Sequence, residues 1–397
     1  MRVLLVILAI QILPGIFYAD SHYLWRRTRH MTFRETQTER SCPRANTASR
    51  PRPRAAWEDA GGKAQTATKR CLPYRDFDWE YPPLSVLPVL PAVVLKDHVF
   101  LFAVWFGSAM AACELASLEL LRRVAGVRAR SLNRYWYLVG VPLGGIAWFR
   151  LDFLSVVCAT AGLVALLERR SAVASTVAGV AAKLWPGVLA ATLLVERRVR
   201  DVIKIAVGCA TVVAAWFAFS PDGFQSFLRF RRSTGFQIEG VVGSVSLLFG
   251  SPSQTASNTW VVNKGQWGWI DPAMTLAWGL LVLGLVVAAR RRPTYDPVLL
   301  TGAMVVTLLI SSRLLSPQFM VWPLPFAALA WANGERITGW LFGVASGITL
   351  LYLFFYRQLV QGSDFWALSV VVRNGLLVAL AVRMIQVALR PQEHRLA

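Results

Sequence analysis

The sequence LPYRDFDWEYPPL, from Leu72 to Leu84, is the stretch around which the chain is organised. Its eight central positions are all aromatic or charged, and the candidate sugar contacts among them are Tyr74, Arg75, Asp76, Asp78, Trp79, Glu80 and Tyr81. Aromatic rings stack on sugar C–H faces and carboxylates hold hydroxyl groups, so the stretch suits a carbohydrate. A structured loop at a membrane surface, where Trp and Tyr collect, accounts for the same residues.

Composition places most of the chain in lipid. Of its 397 residues, 55% are hydrophobic and 16% are charged, whereas a soluble domain is roughly 25% charged. The net charge of +20 comes largely from arginines between apolar runs, which is typical of cytoplasmic loops in a polytopic protein and argues against nucleic-acid binding. The five cysteines and four histidines show no metal-ligand spacing, so we expect no metal and no cofactor.

Four segments are predicted along the chain. Residues 1–19 form an apolar run after one cation, which predicts a first transmembrane helix, with a cleaved signal peptide as the alternative. Residues 20–71 form an extracytoplasmic loop that is rich in Arg, Thr and Pro and is atypical and partly disordered. Residues 72–390 form the polytopic domain, and residues 391–397 form a cytoplasmic tail.

Apolar runs within the polytopic domain predict an all-α membrane protein with about ten spans. After the first helix, the predicted spans are Val99–Leu121, Tyr135–Phe149, Phe153–Leu167, Val202–Phe219, Pro272–Ala289, Val298–Ile310, Phe319–Ala332, Thr338–Phe355 and Trp366–Ile385. The run Ser85–Leu95 is short and broken by prolines, so it predicts an interfacial or re-entrant helix.

Basic clusters set the orientation, because Lys and Arg are retained on the cytoplasmic side. If every cluster is cytoplasmic, the segment Ser171 to Val195 begins and ends on the same side. This predicts a helical hairpin that folds back at Lys183-Leu184-Trp185-Pro186, and a kinked single span is the alternative. The hairpin places the DFDWEY stretch (Asp76–Tyr81), the turn Arg150–Asp152 and the loop 220–271 on the extracytoplasmic face.

Sugar transfer on that face needs a carboxylate to accept the acceptor proton and cations to stabilise a leaving phosphate. Asp20, just beyond the first helix, is a candidate base, together with Asp78 and Glu80. Further candidate substrate contacts are Arg150, Asp152, Lys183, Arg231, Gln237, Glu239, Ser316 and Gln318. Structural interpretations also fit these residues: an interfacial salt bridge at Arg150–Asp152, an amphipathic helix around Arg231, and a helix cap at Ser316.

Five motifs in order resemble the polyprenyl-phosphate-sugar-dependent glycosyltransferases of the C superfamily, and within it family 87, the actinobacterial α-mannosyltransferases. The motifs are PYRDFDWEYPPL (Pro73–Leu84), FRLDFLS (Phe149–Ser155), AAKLWPGVL (Ala181–Leu189), GFQIEGVVGS (Gly235–Ser244) and LSPQFMVWPLP (Leu315–Pro325). The resemblance implies the C-superfamily fold in the bacterial plasma membrane, with an active site facing outside. It also implies a catalytic carboxylate in the first outer loop, which by position is Asp20.

The resemblance further implies an inverting transfer of mannose from polyprenyl-phosphate-mannose to a cell-envelope glycolipid or lipoglycan, without metal or nucleotide. The expected partners are membrane lipids, the donor and the acceptor, and no nucleic acid. Two alternatives stay open. The broken helices also resemble those of a transporter or flippase of lipid-linked saccharides. The Arg- and Pro-rich insert after Asp20, where the family has a compact stretch, would suit an inactive paralogue.

Overall fold

A computed structural model describes residues 81–95, 98–225, 227, 235–250, 252–254, 260–262 and 268–390. The predicted first helix, the whole of the predicted loop 20–71, residues 72–80 with the letters DFDWE, and the predicted tail lie outside the described residues. The described part is predominantly helical.

The α-helices are α1 (Val99–Ala125), α2 (Ala129–Tyr135), α3 (Val141–Ala147), α4 (Asp152–Leu167), α5 (Val173–Ala182), α6 (Leu189–Val195), α7 (Val199–Phe219), α8 (Val241–Leu247), α9 (Ile270–Arg290), α10 (Pro297–Ser311), α11 (Leu324–Ala332), α12 (Arg336–Phe354), α13 (Tyr356–Val360) and α14 (Asp364–Ala388). Shorter 3-10 segments are Pro83–Val93, Gly126–Arg128, Trp185–Val188 and Pro317–Val321, and Trp136–Gly140 is a π-helical turn between α2 and α3.

Among the described residues, five helical stretches are long and apolar enough to cross a membrane. They are Val99–Ala147, Val199–Phe219, Ile270–Arg290, Arg336–Phe354 and Asp364–Ala388. Shorter apolar helices of 10–17 residues pack among them. The class of an all-α polytopic membrane protein is therefore confirmed, and the count of ten spans stays a prediction.

Helix α10 lies in the core, where α14, α11 and α9 pack around it. It is apolar over almost its whole length, which is the pattern of a helix buried on all sides. Asp296 precedes it, and its Oδ1 accepts hydrogen bonds from the backbone N–H groups of Val298 at 2.9 Å and Leu299 at 3.1 Å. With Pro297 at the first helical position, the cap satisfies donors that would otherwise be unpaired at a buried helix end.

The segment between α4 and α7 is the predicted hairpin. Helix α5 ends at Ala182, Lys183 is extended with φ −163° and ψ 135°, and the 3-10 turn Trp185–Val188 leads into α6. The two ends of the hairpin meet, because a guanidinium nitrogen of Arg198 donates to the carbonyl oxygen of Arg170 at 2.6 Å. The fold-back is confirmed, and the kinked single span is wrong.

The proline-broken run predicted as an interfacial or re-entrant helix is an eleven-residue 3-10 helix, Pro83–Val93. Pro88 and Pro91 lie inside it and cannot donate backbone hydrogen bonds, which disfavours a regular α-helix. The segment packs against α1 and α5, and the Trp105 indole donates to the Pro88 carbonyl at 3.1 Å. It leads the chain from the DFDWEY stretch onto the helix bundle.

A small antiparallel sheet lies between α7 and α9. Its strands are β1 (Phe236–Gln237), β2 (Ser253–Gln254) and β3 (Trp260–Val262), in the order β1-β3-β2. Phe236 pairs with Val262, and Ser253 pairs with Val261. Strands of two or three residues are too short to show an alternating pattern, so the sequence predicts only a loop here.

Candidate active site

A buried ion pair joins the start of α4 to the fold-back of the hairpin. The Lys183 ammonium lies 2.6 Å from Asp152 Oδ1, and the two side chains are only 6% and 2% exposed. The Trp322 indole nitrogen donates to the same carboxylate oxygen, also at 2.6 Å. Removing two charges from water is costly unless they are paired and hydrogen-bonded, and both conditions are met here.

Aromatic rings surround the ammonium group. Lys183 Nζ lies 4.2 Å from the Phe319 ring centroid, 4.9 Å from Trp322 and 5.9 Å from Tyr81. Trp322 stacks on Phe319 and on Trp185, with ring centroids 4.5 Å and 5.2 Å apart. Ring faces attract a cation and also suit the C–H faces of a sugar. We refer to Tyr81, Asp152, Lys183, Phe319 and Trp322 as the Lys183 box.

Four of the five sequence motifs converge on this box. FRLDFLS supplies Asp152, AAKLWPGVL supplies Lys183, and LSPQFMVWPLP supplies Trp322. Ser155 connects them further, because it accepts a hydrogen bond from the Trp185 indole at 2.9 Å and donates to the Asp152 carbonyl at 2.8 Å. Tyr81, the last residue of the DFDWEY stretch, brings the first motif to the same place.

A second buried polar cluster holds the loop after β1. The Tyr356 hydroxyl donates to Glu239 Oε1 at 2.7 Å, and Arg373 donates to the Glu239 carbonyl oxygen at 2.9 Å. Asn374 donates to the same carbonyl at 3.3 Å and to the Ser244 hydroxyl at 2.9 Å. We refer to Glu239, Ser244, Tyr356, Arg373 and Asn374 as the Glu239 cluster.

Polar atoms in the Glu239 cluster remain unpaired among the described residues. Glu239 Oε2, Arg373 Nε and Nη1, and Asn374 Oδ1 are buried without a hydrogen-bond partner. Burial raises the pKa of the Glu239 carboxyl to about 7, against smaller lowering effects of the Tyr356 hydroxyl and the Arg373 charge. Burial and the Glu239 charge also raise the pKa of Tyr356 well above its usual value, while the charge of Arg150 lowers it. Arg150 therefore lies within electrostatic reach of this cluster.

Gln237 and Ser316 link β1 to the turn before the 3-10 helix Pro317–Val321. The Gln237 amide nitrogen and the Ser316 hydroxyl oxygen are 2.7 Å apart, and the Gln237 backbone N–H donates to the Arg313 carbonyl at 3.0 Å. Ser316 stands at the N-cap position but makes no cap hydrogen bond, so its interpretation as a helix cap is wrong. Gln318 is buried in the same turn, one residue before Phe319 of the Lys183 box.

The structure thus groups several predicted residues. Tyr81, Asp152 and Lys183 come together. The predicted residues outside the described part are Asp20, Tyr74, Arg75, Asp76, Asp78, Trp79, Glu80 and Arg231. In the described part, no group of three or more His, Cys, Asp and Glu side chains is arranged to hold a metal ion.

Sequence reasoning did not assign roles to Trp322, Tyr356, Arg373 or Asn374. The position of Arg373 could have been recognised from the sequence, because it lies in the middle of an apolar run. An arginine in such a run faces the protein interior and marks a candidate functional site. It is fully buried in α14. Tyr356 carried no such signal, because tyrosines are common at membrane interfaces.

Comparison with known protein families identifies the family of this chain. The profile of glycosyltransferase family 87 matches residues 79–317, more than half of the chain. This chain belongs to glycosyltransferase family 87. A search of curated proteins and a search of solved structures found no match. With its apolar helices, this family 87 protein is a membrane glycosyltransferase, which favours the enzyme over the flippase.

Proposed function

We propose that this glycosyltransferase transfers mannose from polyprenyl-phosphate-mannose to a cell-envelope glycolipid or lipoglycan, at the outer face of the bacterial plasma membrane. The Lys183 box is the observation that carries the proposal. It is a cation walled by aromatic rings, and the DFDWEY stretch ends at it. Rings of this kind hold a sugar, while the Lys183 charge itself is balanced by Asp152.

A lipid-linked donor is favoured by the position of the box. It lies among helices of an apolar bundle, beside the fold-back of the hairpin. Nucleotide sugars are water-soluble and are made in the cytoplasm, whereas a polyprenyl phosphate carries its sugar in the membrane. The family assignment supports glycosyl transfer, and the apolar surroundings support a carrier with an apolar chain.

In the proposed reaction, the acceptor hydroxyl oxygen attacks the anomeric carbon from the side opposite the phosphate. The bond between that carbon and the phosphate oxygen breaks, and the phosphate leaves with the bonding electrons, so the configuration inverts. A carboxylate accepts the hydroxyl proton. Asp20 is the candidate base, with Asp78 and Glu80 as the alternatives, and Arg150 is the candidate cation for the phosphate. Because a cation of this chain balances the phosphate, the proposed step needs no metal.

The test is transfer of radiolabelled mannose in membranes that contain the full chain. We expect label to move from polyprenyl-phosphate-mannose, and not from GDP-mannose, to an endogenous glycolipid or lipoglycan. Polyprenyl-phosphate-arabinose and polyprenyl-phosphate-glucose serve as competing donors for the choice of sugar. Transfer from the nucleotide sugar alone, or from none of these donors, would overturn the proposal.

The base is assigned by three variants of the same enzyme. We expect Asp20→Asn to abolish transfer while the protein still elutes as a folded species in size-exclusion chromatography. Asp201→Asn, at the cytoplasmic end of α7 in the predicted orientation, is the matched control and should retain activity. If Asp78→Asn or Glu80→Gln abolishes transfer and Asp20→Asn does not, the base lies in the DFDWEY stretch instead.

A further inference from the structure

Glu114 is a buried carboxylate in the apolar helix α1, outside the Lys183 box and the Glu239 cluster. It is only 3% exposed. Its Oε1 accepts a hydrogen bond from the Trp136 indole at 3.0 Å, and its Oε2 accepts one from the Trp148 indole at 2.6 Å. An ionisable side chain inside a membrane-spanning helix is energetically costly, so it marks a candidate functional position. We refer to Glu114, Trp136 and Trp148 as the Glu114 clamp.

The π-helical turn between α2 and α3 explains why two indoles twelve residues apart reach one carboxylate. A regular α-helix turns about 100° per residue, so Trp136 and Trp148 would point roughly 120° apart. The Val141 N–H donates instead to the Trp136 carbonyl oxygen, five residues earlier in the chain. A π turn contains one residue more than an α turn, which offsets about 100° and leaves the two rings on nearly the same face.

Glycines leave room for the carboxylate and for the rings. A Cβ atom at Gly144 would lie 2.7 Å from Glu114 Oε2 and 3.0 Å from the Trp148 indole nitrogen. A side chain at this position would therefore displace the carboxylate. A Cβ atom at Gly140 would lie 3.0 Å from the Trp136 ring and 3.0 Å from Leu324 of α11. The clamp is thus closely packed, and such packing transmits a shift of one group to its neighbours.

The clamp is connected to the Lys183 box along the chain. Trp148 directly follows α3 and lies four residues before Asp152, the first residue of α4. The turn between the two helices is tight, because the Arg150 N–H donates to the Ala147 carbonyl at 3.0 Å. Holding the Trp148 ring therefore fixes the end of α3 and, with it, the place where Asp152 begins the next helix.

The clamp is also connected to the box by packing. Helix α3, which lies between the two indoles of the clamp, packs against the 3-10 helix Pro317–Val321. That short helix carries Phe319 of the box. Leu324, which borders Gly140, stands two residues after Trp322 of the box. The segment that Glu114 holds therefore supports two of the aromatic rings of the box.

We infer that Glu114 is a positioning residue for sugar transfer, which sets the place of the Lys183 box through Trp148 and the packing of α3. It belongs to α1, to which none of the five residues of the box belongs. Stacking on a sugar requires ring and C–H face to be in contact, so a small shift of the rings weakens it. The inference rests on the proposed function and adds a residue that acts without touching the substrate.

Kinetics of Glu114→Gln test the inference in the purified full chain in lipid nanodiscs, with polyprenyl-phosphate-mannose as the donor. The amide keeps the shape of the side chain but replaces one acceptor oxygen by a donor, so one indole loses its partner. We expect the donor KM to rise about tenfold, because the sugar-binding rings are misplaced. Glu119→Gln makes the same change at a half-exposed carboxyl of α1 and should leave the donor KM unchanged.

Gly144→Ala tests the same inference by steric contact and leaves every hydrogen-bonding group of the clamp in place. We expect it to raise the donor KM as well. Gly347→Ala is its control, because nothing lies within 4 Å of a Cβ atom there. A merely structural role would lower the amount of active enzyme and leave KM unchanged. If Glu114→Gln and Gly144→Ala both keep the wild-type donor KM, the inference is overturned and the proposed function stands.

Unfolding by detergent titration gives a readout that does not depend on activity. If the clamp supports the start of α4, the midpoint shift of the double variant Glu114→Gln with Asp152→Asn should be smaller than the sum of the two single shifts. Glu119→Gln combined with Asp152→Asn should give additive shifts. If the wild type transfers no sugar from any donor, the proposed function fails. Additive shifts for Glu114→Gln and Asp152→Asn would overturn the inference in either case.

Discussion

The Lys183 box and the Glu239 cluster are both buried and polar, yet they balance their charges differently. In the box, Lys183 and Asp152 touch at 2.6 Å and Trp322 adds a second donor to the carboxylate. In the cluster, the Glu239 carboxyl and the Arg373 guanidinium form no ion pair, and each keeps buried atoms without a hydrogen-bond partner in the described part.

The difference follows from where each site is built. The box joins the start of α4, the hairpin fold-back and the turn after the 3-10 helix Pro317–Val321, all fixed within the bundle. The cluster joins a loop to α13 and α14. The Lys183–Asp152 pair is complete without any ligand. In the Glu239 cluster the charged groups are separated and some of their atoms are unpaired, so binding a proton or a polar group there would lower the free energy. Three measurements test this difference between the two sites.

The largest change in the free energy of unfolding is expected for Lys183→Met. Removing the cation leaves the Asp152 carboxylate buried without its charge partner, which typically costs about 3–5 kcal/mol. We expect a loss of that size in the free energy of unfolding, measured by detergent titration in mixed micelles, and a loss of sugar transfer.

Two further variants separate folding from activity in the box. The double variant Asp152→Asn with Lys183→Met removes both charges, so it should recover much of the stability while remaining inactive. Lys204→Met, at an exposed position in α7, should change neither property. If Lys183→Met alone is as stable as the wild type, the ion pair between Lys183 and Asp152 does not stabilise the Lys183 box.

The sequence predicts those elements of the fold that depend on local properties of the chain, such as hydropathy, charge and proline. Charge bias and the proline after Lys183 were enough to predict the hairpin, because both act through local chemistry. The predicted span Val202–Phe219 begins three residues into α7 and ends at its last residue, and the predicted span Pro272–Ala289 lies within two residues of both bounds of α9. Apolar runs record lipid exposure directly, which makes their bounds readable.

Contacts between distant segments were not readable in the same way. The sequence suggested a surface salt bridge between Arg150 and Asp152, but the structure pairs Asp152 with Lys183, 31 residues further along the chain. Hydropathy shows that a helix is buried without showing which neighbour its polar residues meet. The same reason hid the contact between Tyr356 and Glu239, which are 117 residues apart.

The second effect is a pH dependence of stability that belongs to the Glu239 cluster. The pKa of Glu239 is about 7 in the folded protein against 4.5 for the ordinary carboxyl. Between these values the folded state binds more protons than the unfolded state, so stability falls as pH rises from about 4.5 through 7 and then levels off. A shift of this size corresponds to roughly 3 kcal/mol at most.

The variant Glu239→Gln should remove most of that slope, because the amide does not titrate. Unfolding titrations at pH 5, 6, 7 and 8 in the wild type and in Glu239→Gln measure the difference directly. Glu335→Gln, a partly exposed carboxyl that pairs with Arg383, is the control and should keep the wild-type slope. Equal slopes in the wild type and Glu239→Gln would assign the pH dependence to other groups.

The smallest effect is expected for Tyr356→Phe, which removes one hydrogen bond and leaves the shape of the ring. At pH 6, where Glu239 is largely protonated, the loss should be about 1 kcal/mol, as for a hydrogen bond between neutral groups. At pH 8 the carboxylate is charged and the loss should rise to about 1.5–3 kcal/mol. The Tyr356 hydroxyl lowers the pKa of Glu239, so its removal should also shift the pH midpoint of stability upward. An equal loss of stability at both pH values would show that Tyr356 acts by packing alone. Protonation of Glu239 would then not change the interactions of the Glu239 cluster, and in this respect the cluster would not differ from the Lys183 box.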